Sequence, residues 1–223
     1  MTNIELAGCA LVGMAAGATM IPLTRHQLMA AVARADSAVV PKRPAMTCWQ
    51  WLAVVATSGL LPAVVWRAVG GSLAALPPLL LVLGLIQLAY CDATRRLLPK
   101  NLVYGVTAVV LISGITIAWH TGEWDRLRVA CEGGAAFFAV LFVMNLINPK
   151  WMAFGDVRLS LGVGFGLAWI GLSALVEGFF IANVLAAVVG VTLMALRRAD
   201  RKSALPFGLY LAIGTAITIV AWS

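Results

Sequence analysis

Acid is scarce in this sequence. Nine Asp and Glu stand among 223 residues, against 16 Lys and Arg, and charged residues make up only 11% of the chain. Soluble domains carry about 25% charged residues, and a soluble core of this size could not bury the 62% that is hydrophobic. A soluble globular enzyme is excluded on that ground. Histidine is scarcer still: His26 and His120 are isolated and read as loop residues on opposite sides of a membrane. The four cysteines, Cys9, Cys48, Cys91 and Cys131, form no CxxC pair and have no His near them. A zinc site is not expected from such spacing, nor any other metal or cofactor. Cys9, Cys48 and Cys131 lie in or beside apolar runs, where cysteine reads as a small buried hydrophobe. Cys91 adjoins Asp92 and is assigned no chemistry. The net charge of +7 would suit nucleic acid, but basic residues of a membrane protein ordinarily mark its cytoplasmic loops, and no nucleic-acid partner is expected.

What the chain has is long apolar runs. About twenty apolar residues cross roughly 30 Å of hydrocarbon as a helix. Windows of that length predict about eight transmembrane helices, near 4–23, 48–67, 72–91, 102–119, 129–147, 159–176, 178–196 and 205–222. The expected fold is an all-α polytopic membrane protein, a single integral-membrane domain over residues 1–223. Gly70, Gly71 and Ser72 separate the second and third spans, and only Glu177 and Gly178 separate the sixth and seventh. An even number of spans places thirteen basic residues in one set of loops and three, Arg67, Arg126 and Arg128, in the other. The positive-inside rule puts the rich set in the cytoplasm. Both termini are then periplasmic or extracellular, and residues 25–46 form a cytoplasmic loop. The first segment begins MTNIE, without the basic start of a signal peptide, and reads as an anchor. Trp49, Trp51, Trp66, Tyr90, Trp119 and Trp222 fall near span ends, as an interfacial belt would. Gly13/Gly17 and Gly162/Gly166 match GxxxG, read as close packing inside the monomer; the oligomeric state is left open.

Two acids stand out against this frame. Asp92, in CDATRRLLPKN, lies at the end of the third span; Asp156, in AFGDVRLS, lies just before the sixth. Both fall at the cytoplasmic edge. Asp36 and Asp200 lie in basic loops; Glu5, Glu123, Asp125, Glu132 and Glu177 fall on or near the outer face. A carboxylate at a membrane edge is costly and is a functional candidate by default. Two close carboxylates cannot both be charged cheaply, so one holds a proton. The pair then offers a general base for water and a general acid for a leaving amine. The competing structural reading is helix capping. It suits Asp156 at a helix N-terminus. It suits Asp92 less, at a helix C-terminus where the dipole disfavours acid, though Arg95 and Arg96 could pair with it.

The motifs around these acids form an ordered set. Asp92 precedes Arg95-Arg96 and Leu98-Pro99; Gly155-Asp156-Val157-Arg158-Leu159 follows; LPFGLYLAIG spans residues 205–214. In this order and spacing, over roughly residues 85–220, they resemble bacterial prepilin peptidases, intramembrane aspartic peptidases of the GxGD class. The resemblance implies a hydrolase, an aspartic-type endopeptidase with Asp92 and Asp156 as its catalytic pair. Its implied work, in type IV pilus assembly or protein secretion, is to remove the short basic leader of a prepilin or pseudopilin. Cleavage would occur at the cytoplasmic face of the inner membrane. Gly155 would allow close backbone approach, Pro99 would shape the turn after the third span, and Arg158 would anchor the loop or meet lipid head groups. Pro206 and Gly208 would serve helix start and packing. Ala153 replaces the first Gly of GxGD, and Lys100 stands where Asn or Asp is common. Long family members carry paired CxxC motifs between the first two spans; residues 25–46 contain no cysteine. A peptidase-only short form, without N-methyltransferase activity, is therefore expected.

Three other readings remain at this level. A small ion- or proton-coupled transporter would use the two Asp as relay groups, although such groups usually lie near the bilayer midplane. A catalytically silent assembly factor would tolerate their loss. A peptidase of other membrane segments would share the dyad but not the leader substrate.

Overall fold

The computed structural model describes residues 3–34, 48–68, 72–95, 99–148, 154–196 and 207–222. Every regular element among them is helical: α1 (Asn3–Arg34), α2 (Cys48–Ala68), α3 (Leu76–Arg95), α4 (Lys100–Thr121), α5 (Trp124–Ile147), α6 (Phe154–Ala168), α7 (Leu172–Ala195) and α8 (Phe207–Ala221), with one 3-10 turn at Leu73–Ala75. Five helical segments are long and apolar enough to cross a bilayer: Ala7–Gln27, Leu73–Asp92, Lys100–Thr121, Trp124–Ile147 and Leu172–Ala195. Leu52–Arg67 and Gly208–Ala221 are shorter apolar helices. The protein is an all-α polytopic membrane protein.

Local chemistry sets several boundaries. Pro99 has extended backbone and caps α4, its carbonyl accepting the N–H groups of Leu102 and Val103 at 3.0 and 3.1 Å. Proline is suited to this place because its missing N–H would be unsatisfied there anyway. The turn it is expected to shape, residues 96–98, lies outside the described residues. Gly122 closes the other end of α4 in the left-handed conformation, φ 76°, and donates its N–H to Ala118. Glycine adopts that conformation without the steric cost other residues meet.

Helix α3 is central and packs against α1, α2, α4, α6 and α8. Helix α6 is the most enclosed. Beyond Gly155 only Arg158 and Leu161 escape full burial. Its glycines explain how so many neighbours fit. A Cβ at Gly162 would meet Thr107 of α4, at Gly164 Phe137 and Gly134 of α5, and at Gly166 Leu81 of α3. Gly13 and Gly17 likewise seat α1 against Ser58 of α2. Both GxxxG pairs therefore serve close packing within one chain.

Three expectations are corrected. The first helix does not stop near residue 23: α1 continues to Arg34, so residues 25–34 of the expected loop are helical and residues 35–46 lie outside the described ones. His26 is therefore a helical residue, as is His120 in the last turn of α4. The sixth and seventh spans do not meet at Glu177–Gly178. Helix α6 ends at Ala168, Trp169–Gly171 make the turn, and Glu177 lies inside α7. Helix α6, with 15 residues, is about 22 Å long, short of the roughly 30 Å of a hydrocarbon core. Cys131 is exposed rather than buried, and Cys9 is half-buried.

Candidate active site

The last turn of α3 carries Asp92 and the first turn of α6 carries Asp156. Asp156 thus lies within its helix rather than ahead of it. Both side chains are buried, at 7% and 5% relative exposure. α3 and α6 pack together, and Asp92 lies within electrostatic reach of Asp156. The two acids singled out in the sequence therefore share one end of the bundle interior.

A third helix joins them. The N–H of Leu209, in the first turn of α8, donates to Oδ2 of Asp92 at 3.2 Å. The first four N–H groups of a helix lack intrahelical acceptors, and a helix N-terminus favours negative charge. Asp92 is thus disfavoured by the dipole of its own helix and favoured by that of α8. Asp156 receives the same favour from α6. Two carboxyl groups, each set at a helix N-terminus and removed from water, thus lie within electrostatic reach of each other.

Leu88, Cys91, Val157, Leu159 and Leu211 are buried nearby in the chain. Tyr210, also buried, lies within electrostatic reach of Asp92. The Ser160 hydroxyl donates to the carbonyl of Val157 at 2.7 Å and is occupied by its own helix. One face away, polar bonds tie α1 to its neighbours: Thr24 Oγ1 donates to Gln87 Oε1 at 3.2 Å, and Asn101 Nδ2 to Gln27 Oε1 at 3.4 Å.

The side chains of Arg95 and Arg96, expected as possible partners of Asp92, lie outside the described residues, as do Ala153 and Pro206. Gly155 and Gly208 sit in the first turns of α6 and α8. Among the described residues, no three His, Cys, Asp or Glu side chains are grouped as metal ligands. Leu209 was missed by sequence reasoning. Its contribution is a backbone N–H, and the visible signal was only the Pro-Phe-Gly that starts the helix.

Known proteins resemble this chain over the region that holds the site. Residues 79–191, which contain both Asp, match the type IV leader peptidase family. Among curated proteins, the chain is similar to three named prepilin leader peptidase/N-methyltransferase. That of Pseudomonas aeruginosa is 31% identical over 147 residues, covering 64% of this chain and 48% of the relative. That of Stutzerimonas stutzeri is 31% identical over 163 residues, covering 73% and 55%. That of Pseudomonas putida is 32% identical over 162 residues, covering 70% and 53%. The chain thus spans about half the length of the curated relatives it matches. No solved structure matches it. With half of its residues matched, and Asp92 and Asp156 both within the match, the chain belongs to the type IV leader peptidase family.

Proposed function

We propose that this protein is a membrane-embedded aspartic endopeptidase that removes the leader of type IV prepilins or pseudopilins, with Asp92 and Asp156 as its catalytic pair. The observation that carries the reading is the burial of these two carboxyl groups within electrostatic reach of each other, at the adjoining ends of α3 and α6. Family membership supports the leader substrate.

The chemistry follows from the pair. The ionised carboxylate takes a proton from water as it attacks the scissile carbonyl. The protonated partner donates to that carbonyl and, as the tetrahedral intermediate collapses, a proton reaches the leaving amine. The Leu209 N–H holds Asp92 in place. Burial at the bundle end keeps the pair out of bulk water, yet close to the surface from which an extended leader junction arrives.

Lys100 and Arg158, in the first turns of α4 and α6, lie at the site end, and the sequence puts its basic-rich segments on that side, which supports its placement at the cytoplasmic face of the inner membrane. A position at the bundle end favours a peptidase over a transporter, whose relay acids belong near the midplane. The relatives' printed name includes N-methyltransferase. Residues 25–46 of this chain contain no cysteine, and we assign it the peptidase step alone, with residues 1–223 acting as one unit.

The test is co-expression with a prepilin from the same genome, read by gel shift and N-terminal sequencing of the product. Wild type should release the leader; Asp92→Asn and Asp156→Asn, present in the membrane at equal amounts, should not. Leader release by both variants would end the aspartic reading.

A further inference from the structure

A cation near the site has no work in the scheme above. Arg158 sits two residues after Asp156 on α6. Positions i and i+2 of a helix do not share a face, so Arg158 points away from the carboxyl pair and toward the outside of the bundle. Its guanidinium lies 4.5 Å from the ring centroid of Phe154 and 5.8 Å from that of Tyr104 on α4. Both rings are open to the exterior, at 44% and 54% relative exposure. Arg158 Nε is buried and has no acceptor. Two ion pairs, Arg126–Glu123 and Arg128–Asp125, lie at the opposite end of the bundle.

We propose that Arg158, braced by Phe154 and Tyr104, binds the phosphate of an anionic phospholipid at the membrane edge beside Asp156. Three features favour this ligand. A guanidinium presents a planar fork of donors that matches phosphate in a two-point fashion, and ring stacking fixes the plane of that fork. The braced cation sits in the first two turns of a membrane helix, the depth of the head groups, with exposed rings alongside for the acyl chains. Helix α6 is also too short to set its own depth: its 15 residues reach only about 22 Å. A phosphate held at Arg158 would fix the level of α6, and with it the level of Asp156. A freely diffusing phosphate shares the head-group chemistry but not the contact with the rings.

The experiment is native mass spectrometry of the detergent-purified protein titrated with phosphatidylglycerol, with wild type compared to Arg158→Gln, Arg158→Lys and Lys100→Gln. Arg158→Gln should hold the lipid about five-fold less tightly, the worth of one basic side chain at an anionic membrane surface. Arg158→Lys should fall between them, because it keeps the charge and loses the fork. Lys100→Gln, which removes another cation at the same end, should bind like wild type. Inorganic phosphate should fail to displace the lipid. Equal binding by wild type and Arg158→Lys would overturn the clamp, and that comparison stands even if Arg158→Gln does not fold. An equal loss in Lys100→Gln would reduce the site to diffuse surface charge, and displacement by inorganic phosphate would make it an anion site without a lipid. Binding is read without proteolysis, so its outcome is independent of the peptidase assignment.

Discussion

At one end of the bundle Glu123 pairs with Arg126 at 2.6 Å and Asp125 with Arg128 at 3.6 Å, all four side chains in the open. Glu177, also exposed, accepts the Trp222 indole N–H at 2.5 Å. At the other end Asp92 and Asp156 are buried among apolar side chains. The first group gains what exposed pairs gain, which is little. The second bears a desolvation cost that helix N-termini only partly offset. Acid kept where it is expensive, in a chain with so little of it, is what makes this end the proposed active site.

The contrast can be broken most severely at the carboxyl groups themselves. Asp92→Asn or Asp156→Asn should lower leader cleavage by about 10²–10⁴-fold, the usual worth of a general acid or base. Their thermal stability should hold or rise, because a neutral amide is cheaper to bury than a charge. Cleavage rates and melting curves from the same preparations check both halves.

A subtler break removes the backbone donor that supports Asp92. Leu209→Pro deletes the N–H that meets Oδ2 at a first-turn position where proline is tolerated. A hydrogen bond to a charged group is worth about 1.5–3 kcal/mol, so cleavage should fall about ten- to a hundred-fold. Circular dichroism should still show the full helical content.

Packing around α6 gives the next effect. Gly164→Leu would drive a side chain into Phe137 and Gly134 of α5. Overpacking of this kind costs about 1–3 kcal/mol, and the variant should melt earlier and cleave less in proportion. Smallest of all, Glu123→Gln at the opposite end should change stability by no more than about 0.5 kcal/mol and leave cleavage unaltered.

The sequence made some of this legible and hid the rest for physical reasons. Hydropathy located most helices because bilayer crossing is a matter of length and apolarity alone. It misplaced the α6–α7 turn because Trp169-Ile170-Gly171-Leu172 is itself apolar, while Glu177 resembles a loop residue. The structure gives Glu177 a partner in Trp222, so the charge needs no turn. It ended α1 too early because residues 25–34 carry charge, although Gln, Leu, Met, Ala and Arg there are good helix formers. Asp92 and Asp156 were legible as costly acids flanked by motifs. The support of Asp92 by α8 was not, since a backbone N–H leaves no mark on residue type. Nor was the bracing of Arg158, which needs Tyr104 from another helix.

The most direct test sets the two ends side by side in one assay. Prepilin cleavage is measured for Asp92→Asn, Asp156→Asn, Glu123→Gln and Glu177→Gln at matched membrane levels. The expected result is loss of cleavage in both Asp variants and wild-type cleavage in both Glu variants. Cleavage kept by either Asp variant, or lost in the Glu variants as fully as in the Asp ones, would contradict an active site built from the buried pair.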